Sequence, residues 1–507
     1  MTTPVVVGPK PLTIEAVIAL VQGTPAQLAT DPGFRARIAA GAEHLRQQLA
    51  DGRTVYGVTT GYGESCETGV PGEHVRELPL NLMRFHGCGT GRILDEDEAA
   101  AVVAVRLAAL CRGYSGVRPV VLERLVDLLN HRILPRIPAE GSVGASGDLT
   151  PLSYVVATLV GERECSDRGV VRPAGEALAV AGIEPLTLVP KESLALMNGT
   201  SVMVGLGCLA YTRARRLARL SAAITAMASD VMQGNRAHFD DRIFLAKPHP
   251  GQRACARWIR EDLEATDATR DGHRLQDRYS IRCAPHVIGV LLDALPFTRE
   301  VLETEVNGAN DNPLIDPETG DVLHGGNFYG GHACFVLDGL KTAVANLADL
   351  IDRQLALLCN PNTNNGLPAN LVARKGPSSA AHHGFKAMQI SASALTAEAL
   401  KLCIPASVFS RSTECHNQDK VSMGTIAARD CLRIIELTET VAIIGLLAAC
   451  QGVDLREGSR CHQRARMLHR AVREHVPQNL ADRRQDHDIT KLLHHYRSGS
   501  LPIGEID

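Results

Sequence analysis

Two long stretches without proline constrain the fold most strongly. Residues 205–232 and 423–450 are rich in alanine and leucine and contain no proline. Alanine and leucine favour helices, whereas proline interrupts them. Both stretches are apolar around much of a helical circumference in places, which is typical of central helices in a bundle. The sequence therefore predicts long helices that pack against other helices.

Other segments also predict helices. Apolar residues between Leu337 and Leu358 recur every three or four positions, which indicates an amphipathic helix. Residues 95–111 begin with four acidic residues, suited to a helix N-terminus, and stop before Gly113. Aromatic residues, which favour strands, make up only 4% of the 507 residues. We therefore expect a mainly α-helical protein with more than one packed lobe.

The composition disfavours several classes of partner. The net charge is -3 and basic residues are scattered among acidic ones, so we expect no nucleic acid partner. The longest apolar stretch, 441–450, is too short to span a bilayer, and residues 1–12 lack a signal-peptide pattern. None of the fourteen cysteines forms a Cys-x-x-Cys pair. We expect a cytoplasmic protein with buried thiols, no membrane partner and no metal.

Segments rich in glycine, asparagine and histidine separate the predicted helices. Loops of this composition are where functional residues usually lie. They are residues 56–63, 86–91, 141–148, 307–313, 324–331 and 360–368.

The segment 141–148 contains Ala145, Ser146 and Gly147, which together have a specific chemistry. The Gly147 amide nitrogen can attack the Ala145 carbonyl, and two dehydrations then convert the serine side chain into an exocyclic methylidene. Glycine permits the tight approach that the ring requires. The product is a methylidene-imidazolone, a strong electrophile. The alternative interpretation is a turn of small residues followed by an aspartate N-cap.

Several separated motifs favour the chemical interpretation. From about residue 12 to 454 the chain resembles the histidine, phenylalanine and tyrosine ammonia-lyases and the related 2,3-aminomutases. The motifs that carry the resemblance are residues 56–63, 145–148, 198–201, 276–282, 310–313, 324–328 and 416–419. The resemblance implies an N-terminal prosthetic-group domain over 1–200, with a lid loop at about 52–75, and a helical bundle over 201–507. It also implies a homotetramer in which three subunits build each site.

The resemblance assigns roles to individual residues. Tyr62 takes the β-hydrogen of the substrate, and its pKa must therefore be depressed. Asn198 and Tyr279 face the prosthetic group, and Arg282 binds the substrate carboxylate through its planar fork. Glu414 accepts the substrate ammonium, or alternatively caps a helix. The remaining predicted binding residues are Gln276, Asn312, Phe328, Lys386, Asn417 and Gln418.

The resemblance also places several helix N-termini around the prosthetic group, where their dipoles favour negative charge on the imidazolone. Gln276, Tyr279 and Arg282 are spaced i, i+3, i+6, which would place them near one side of a helical turn.

The ring of the substrate is expected to meet Phe85 and His86. Histidine-specific members of the family tend to carry Ser-His at this pair, and phenylalanine-specific members carry Phe-Leu. Phe85 supplies an apolar wall and His86 a hydrogen bond for a phenol. We therefore expect an ammonia-lyase that prefers tyrosine and accepts phenylalanine second.

Three alternatives remain open. Residues 61–64 also resemble tyrosine aminomutases, and Lys420 departs from the lyase pattern. The chain is then a 2,3-aminomutase, a histidine ammonia-lyase, or a helical protein that binds a metabolite without catalysis. The intact triad and Tyr62 argue against the last.

Overall fold

The prediction of a mainly helical protein is confirmed. The computed structural model describes residues 3–264, 272–456 and 462–506, and contains 58% helix and 7% strand. The N-terminal helices are α1 Ile14–Val21, α2 Pro32–Ala50, α3 Leu78–Phe85, α4 Glu96–Leu110, α5 Pro119–His131, α6 Leu149–Leu159, α7 Ala174–Val180 and α8 Glu192–Met197. They are followed by α9 Ser201–Val231, α10 Asp241–Leu245, α11 Pro250–Asp262, α12 Tyr279–Arg282, α13 Ala284–Val306, α14 Gly331–Cys359, α15 Lys386–Lys401, α16 Gly424–Leu455, α17 Gln463–His475 and α18 Asp486–Arg497.

The four helices predicted from the sequence are present with small boundary shifts. Helix α9 covers the stretch 205–232, α14 covers the amphipathic segment, and α16 covers 423–450. Helix α4 begins as expected, because the Asp95 carboxylate accepts the Glu98 N–H and the Glu98 side chain reciprocates. One predicted loop, 86–91, ends in a strand, because Thr90 pairs with Glu140.

The strands are short and form small sheets. Strands β1 Val5–Val7 and β2 Ala26–Leu28 are parallel, whereas β3 Thr90–Ile93 pairs antiparallel with β5 Pro138–Glu140. Strands β4 Ile133–Pro135, β6 Glu164–Asp167 and β7 Val170–Pro173 form an antiparallel sheet, and β8 Leu314–Ile315 pairs with β9 Val322–Leu323. Strands β3, β5, β8 and β9 lie next to segments that carry predicted site residues.

The chain divides into two compact units, each built from several segments. Unit 1 is Met1–Ala210, Phe297–Asp338 and Pro405–Arg429, and unit 2 is Tyr211–Pro296, Gly339–Ile404 and Asp430–Asp507. Every strand of the described residues belongs to unit 1. A division at about residue 200 into prosthetic-group domain and bundle therefore stays a functional prediction.

The core of unit 1 contains helix α4, whose residues from Ala99 to Leu110 are all buried. Arg106 is buried among them with no exposed surface. A second small cluster of Leu45, Val55, Val58 and Ile315 anchors the start of the predicted lid loop. Burial of such apolar side chains stabilises the folded chain by about 25 cal/mol per Å².

One apolar helical segment, Tyr279–Val306, is long enough to cross a membrane by length and composition. Core helices of soluble proteins meet the same criterion, so this segment is weak support for membrane insertion. The cysteines of the described residues are free thiols, and Cys461 lies outside the described residues.

Candidate active site

The segment with Ala145, Ser146 and Gly147 forms a tight turn in unit 1. Ser146 and Gly147 have positive φ angles of 49° and 82°, a conformation that L side chains rarely adopt. The Asp148 N–H donates to the Gly199 carbonyl at 2.8 Å, and the Gly199 N–H donates to the Ser146 carbonyl at 3.2 Å. A Cβ on Gly147 would overlap the Gly199 carbonyl. Only glycine fits there, as cyclisation of the triad requires.

Asp148 connects this turn to the start of α9. Its Oδ2 accepts the Val202 N–H at 2.9 Å and the Met203 N–H at 3.0 Å. Its Oδ1 accepts the Thr425 hydroxyl at the start of α16. Burial raises the pKa of the carboxyl to about 6, and these hydrogen bonds oppose the rise. The aspartate therefore caps α9 rather than α6, the helix that follows it in sequence.

Several helix N-termini meet the turn, as the resemblance implied. Helix α6 begins one residue after Asp148, α9 is bound through that carboxylate, and the Met423 N–H before α16 donates to the Val143 carbonyl at 3.0 Å. The dipoles of these helices favour negative charge at this position.

The buried Arg106 hydrogen-bonds to the segment that pairs with the turn. Arg106 Nη1 donates to the carbonyl of Asn198, the residue predicted to face the prosthetic group. Burial lowers the Arg106 pKa to about 10, while Asp311 and Asp148 oppose the shift. Asp311 is also paired with the buried Lys191. The sequence analysis missed this network, although a lone arginine inside the apolar run of α4 was a usable signal.

Tyr62 lies near the middle of the predicted lid loop, directly before the 3-10 helix Gly63–Glu67. A side chain at Gly57 would crowd the Tyr62 ring and Leu194, so the ring lies against this backbone. Burial, followed by the nearby Tyr56, raises the Tyr62 pKa above its ordinary value. In the single chain this shift is opposite to the depressed pKa that a base needs at neutral pH. The base role of Tyr62 stays a prediction that requires a cationic neighbour.

Glu414 contacts the same loop. Its carboxylate accepts the Glu64 N–H at 3.0 and 3.2 Å, and a Cβ on Gly63 would overlap it. Glu414 therefore caps the 3-10 helix Gly63–Glu67 in this structure. It sits in a tight turn in which Glu414, Cys415 and His416 all have positive φ. Gln418 closes this turn by accepting the Thr413 hydroxyl at 2.8 Å, and Asn417 is exposed beside it.

Phe85 and His86 stand at the end of α3 with ring centroids 4.6 Å apart. Phe85 is 59% exposed. The His86 Nδ1 lies 3.4 Å from the Thr150 Oγ1, one turn beyond the triad. Burial lowers the His86 pKa to about 4, so the imidazole is neutral at pH 7.

Two further predicted residues lie in unit 1. The Asn312 Oδ1 accepts the Gly325 N–H at 2.8 Å, and Phe328 is half-buried in the following loop.

Unit 2 carries the other predicted residues. Tyr279 is 72% exposed and Gln276 is exposed. The Arg282 guanidinium stacks 4.7 Å from the Tyr279 ring centroid and donates to the Gln276 Oε1 at 3.4 Å. The three residues do cluster, although α12 begins only at Tyr279 and Gln276 precedes it. Lys386 is the exposed first residue of α15.

This arrangement defines a class of protein: a helical enzyme whose small-residue turn, helix N-termini and lid tyrosine suit elimination of ammonia from an amino acid. The sequence model of the family described as "Aromatic amino acid lyase" matches residues 12–474. The chain belongs to this family, whose members are ammonia-lyases and aminomutases that use a methylidene-imidazolone prosthetic group.

Individual relatives cover nearly the whole chain. It is 39% identical over 486 residues to a histidine ammonia-lyase of Koribacter versatilis, and the match covers 93% of each chain. The crystal structure of a tyrosine aminomutase from Streptomyces globisporus superposes with a TM-score of 0.91 at 36% identity, covering 98% of this chain and 97% of that one. A histidine ammonia-lyase from Trypanosoma cruzi gives a TM-score of 0.89 at 34% identity, covering 98% and 94%.

The relatives do not support the expected preference for tyrosine. The K. versatilis and T. cruzi relatives act on histidine by name, and the neighbour named for tyrosine is an aminomutase. The sequence argument from Phe85 and His86 weighed the phenol alone, yet an imidazole ring also exchanges a hydrogen bond with a neutral histidine.

Proposed function

We propose that this protein eliminates ammonia from L-histidine or, second, L-tyrosine, with an electrophile made from Ala145, Ser146 and Gly147. The observation that carries the proposal is the tight turn at Ser146–Gly147, held against Gly199 and surrounded by helix N-termini. The names of the relatives support histidine, and the hydrogen-bonding ring of His86 supports either substrate. Phenylalanine is the weaker substrate, because its ring offers His86 no hydrogen bond.

The methylidene-imidazolone supplies the electrophile that makes the amino group a leaving group. The chain's own residues then bind and orient the substrate. Arg282 holds the carboxylate with its planar fork, supported by Gln276 and Asn312. Tyr62 takes the β-hydrogen, and Gly63 lets the lid loop close over the substrate. Glu414 accepts the ammonium, which requires its present contact with Glu64 to be exchanged for one with the substrate.

The remaining roles complete the site. Asn198 and Tyr279 would hydrogen-bond the prosthetic group and Phe328 would pack beside it, whereas Phe85 and His86 would receive the substrate ring. Lys386, Asn417 and Gln418 form the far wall. We propose a cytoplasmic homotetramer in which three subunits build each site, as the resemblance implies. The exposure of Tyr279 and Gln276 supports the shared site, because predicted site residues on the surface of one chain can be covered by another.

The same site supports a second outcome. In a 2,3-aminomutase the ammonia is returned to the β-carbon, and the S. globisporus neighbour carries that name. The two outcomes differ in how long the lid keeps the product and ammonia together.

The test is the product formed from histidine, tyrosine and phenylalanine supplied separately. We expect ammonia and the α,β-unsaturated acid, and histidine is expected to give the highest kcat/KM. A β-amino acid as main product would assign the chain to the aminomutases instead. Preference for phenylalanine would contradict the proposed ring pocket.

Ser146→Ala tests the electrophile. We expect a folded protein whose kcat falls by several orders of magnitude and which lacks absorbance near ~310 nm. The matched control is Ser142→Ala, which removes a hydroxyl from the same loop but leaves the triad intact. The Ser142 hydroxyl accepts the Gly144 N–H at 3.1 Å and the Thr425 hydroxyl at 3.2 Å, and lies 3.4 and 3.5 Å from acceptors on Gly147 and Asp148. Neutral hydrogen bonds of this kind contribute only about 1 kcal/mol each, so the control should retain far more activity than Ser146→Ala. Equal activity of Ser146→Ala and wild type would contradict the proposal.

A further inference from the structure

Unit 2 contains a cavity of about 390 Å³. It lies next to the turn that carries Arg282, the arginine predicted to bind the substrate carboxylate, which we call the clamp arginine. Its lining includes Arg274, Asp277, Arg278 and Ile281, but not Gln276, Tyr279 or Arg282. The two sets of residues alternate along one short segment. The cavity and the clamp therefore lie on different faces of the same turn.

Two cationic side chains line this cavity, and neither has an ion-pair partner among the described residues. Arg278 is half-buried, and its guanidinium makes no hydrogen bond or ion pair with any described residue. Arg274 donates only from Nε, to the Gln276 carbonyl at 3.2 Å. A half-buried guanidinium with free N–H groups attracts a carboxylate or phosphate, for which its fork is suited.

The carboxylate in the described lining is already engaged. The Asp277 Oδ2 accepts the Asn235 N–H at 2.7 Å and lies 3.7 Å from the His238 Nε2. Neither arginine is within ion-pair distance of this group. Among the described lining residues, the charges of Arg274 and Arg278 are therefore not neutralised by Asp277.

A buried hydroxyl also lines the cavity. Ser229 is 1% exposed, and its Oγ has no hydrogen-bond partner within the described part of the chain. An unpaired buried hydroxyl costs free energy unless a ligand or water satisfies it. Met232, Ile281 and Leu357 supply apolar surface on the same walls.

We propose that this cavity binds a small organic anion, with its carboxylate or phosphate between Arg274 and Arg278 and its apolar part against Met232, Ile281 and Leu357. The site is separate from the residues assigned to catalysis. A hydrogen bond connects the two sets of residues, because the Asp277 carbonyl accepts the Arg282 Nε–H at 3.0 Å. An anion that orders Asp277 and Arg278 thereby orders the clamp arginine, a coupling that rests on the proposed function.

The binding experiment uses inorganic phosphate and phenyl phosphate, titrated calorimetrically into the full-length protein at constant ionic strength. We expect phenyl phosphate to bind more tightly than phosphate, because only its ring reaches the apolar wall. Arg278→Gln should weaken both by roughly ten-fold, as loss of a charge-assisted hydrogen bond does. The matched control is Arg253→Gln, an exposed arginine of α11 outside this cavity. It should leave both Kd values unchanged.

Arg274→Gln, at an exposed position, repeats the test if Arg278→Gln fails to fold. Ser229→Ala should weaken phosphate less than either arginine variant. Absence of binding to the wild type, or equal Kd values for wild type and the arginine variants, would overturn the proposal.

Enzyme kinetics measure whether anion binding in the cavity affects substrate binding through Arg282. Phenyl phosphate at a concentration near its wild-type Kd should change the substrate KM of the wild type, and it should change the KM of Arg278→Gln much less, because the variant binds it about ten-fold more weakly. Arginine-dependent binding by a protein that converts no amino acid would contradict the proposed function but retain this site. Turnover without such binding would do the reverse.

Discussion

Burial of His86 sets the protonation state of its imidazole, and therefore the hydrogen bonds that the ring can offer to a substrate. Its ring is neutral at pH 7 because burial holds the pKa at about 4, and one nitrogen faces the Thr150 hydroxyl. The other nitrogen then serves as donor or acceptor toward a substrate ring, according to the tautomer. A neutral histidine suits an imidazole or a phenol better than a bare phenyl ring.

We predict that His86→Leu lowers kcat/KM for histidine and tyrosine by roughly ten- to a hundred-fold. The variant leaves the polar ring of the substrate without its hydrogen bond, whereas phenylalanine loses nothing and packs against the new methyl groups. The measurement is the ratio of kcat/KM values among the three amino acids.

The ratio separates specificity from a general folding defect. If kcat/KM falls equally for all three amino acids, His86 is structural, and its bond to Thr150 matters more than any contact with substrate.

At the scale of elements, the turn that carries the predicted triad is held by the first residues of long helices. Asp148 accepts two N–H groups at the start of α9 and the Thr425 hydroxyl of α16. Arg106 of α4 meets the Asn198 carbonyl that precedes α9. The turn is therefore held by α4, α9 and α16, which are distant in sequence. The buried charges of Arg106, Asp311 and Lys191 lie next to it.

Asp148→Asn should loosen this element. An amide keeps one acceptor oxygen but presents an NH₂ group to the second set of donors, so a buried donor is left unpaired at a cost of about 1–3 kcal/mol. We expect a lower free energy of unfolding and a weaker absorbance near ~310 nm, because the triad is held less tightly for cyclisation.

Denaturant titration and the absorbance spectrum check this prediction. Asp127→Asn, a half-exposed change on α5, is the control and should leave both measurements unaltered. Wild-type absorbance and stability in Asp148→Asn would show that the helix cap is dispensable.

At the scale of the whole molecule, the predicted site residues are divided between two units. Tyr62, the triad and Glu414 belong to unit 1, whereas Gln276, Tyr279 and Arg282 belong to unit 2. In the single chain, Tyr279 beside the clamp arginine is exposed and the pKa of Tyr62 is raised. Assembly of a shared site would bring new cationic neighbours to Tyr62 and cover Tyr279.

Co-expression of two inactive variants tests this assembly. Tyr62→Phe and Arg282→Lys should each be inactive alone, and their mixed oligomers should recover about a quarter of wild-type activity if one site takes these residues from different subunits. Activity is assayed after the mixed oligomers are purified through two different tags. No recovery would show that one chain supplies both residues.

The sequence by itself determined the helical class, and it identified a triad whose cyclisation stays a prediction. Long proline-free runs rich in alanine and leucine favour the helix, and Ala145, Ser146 and Gly147 are consecutive in the chain, so both features could be recognised from residue order. The tertiary structure decided what distant residues do to one another. Asp148 caps α9 instead of α6, Arg106 reaches Asn198 from 92 residues away, and burial moves the pKa values of Tyr62 and His86. These effects depend on distance and solvent exposure in the folded chain, which residue order does not specify.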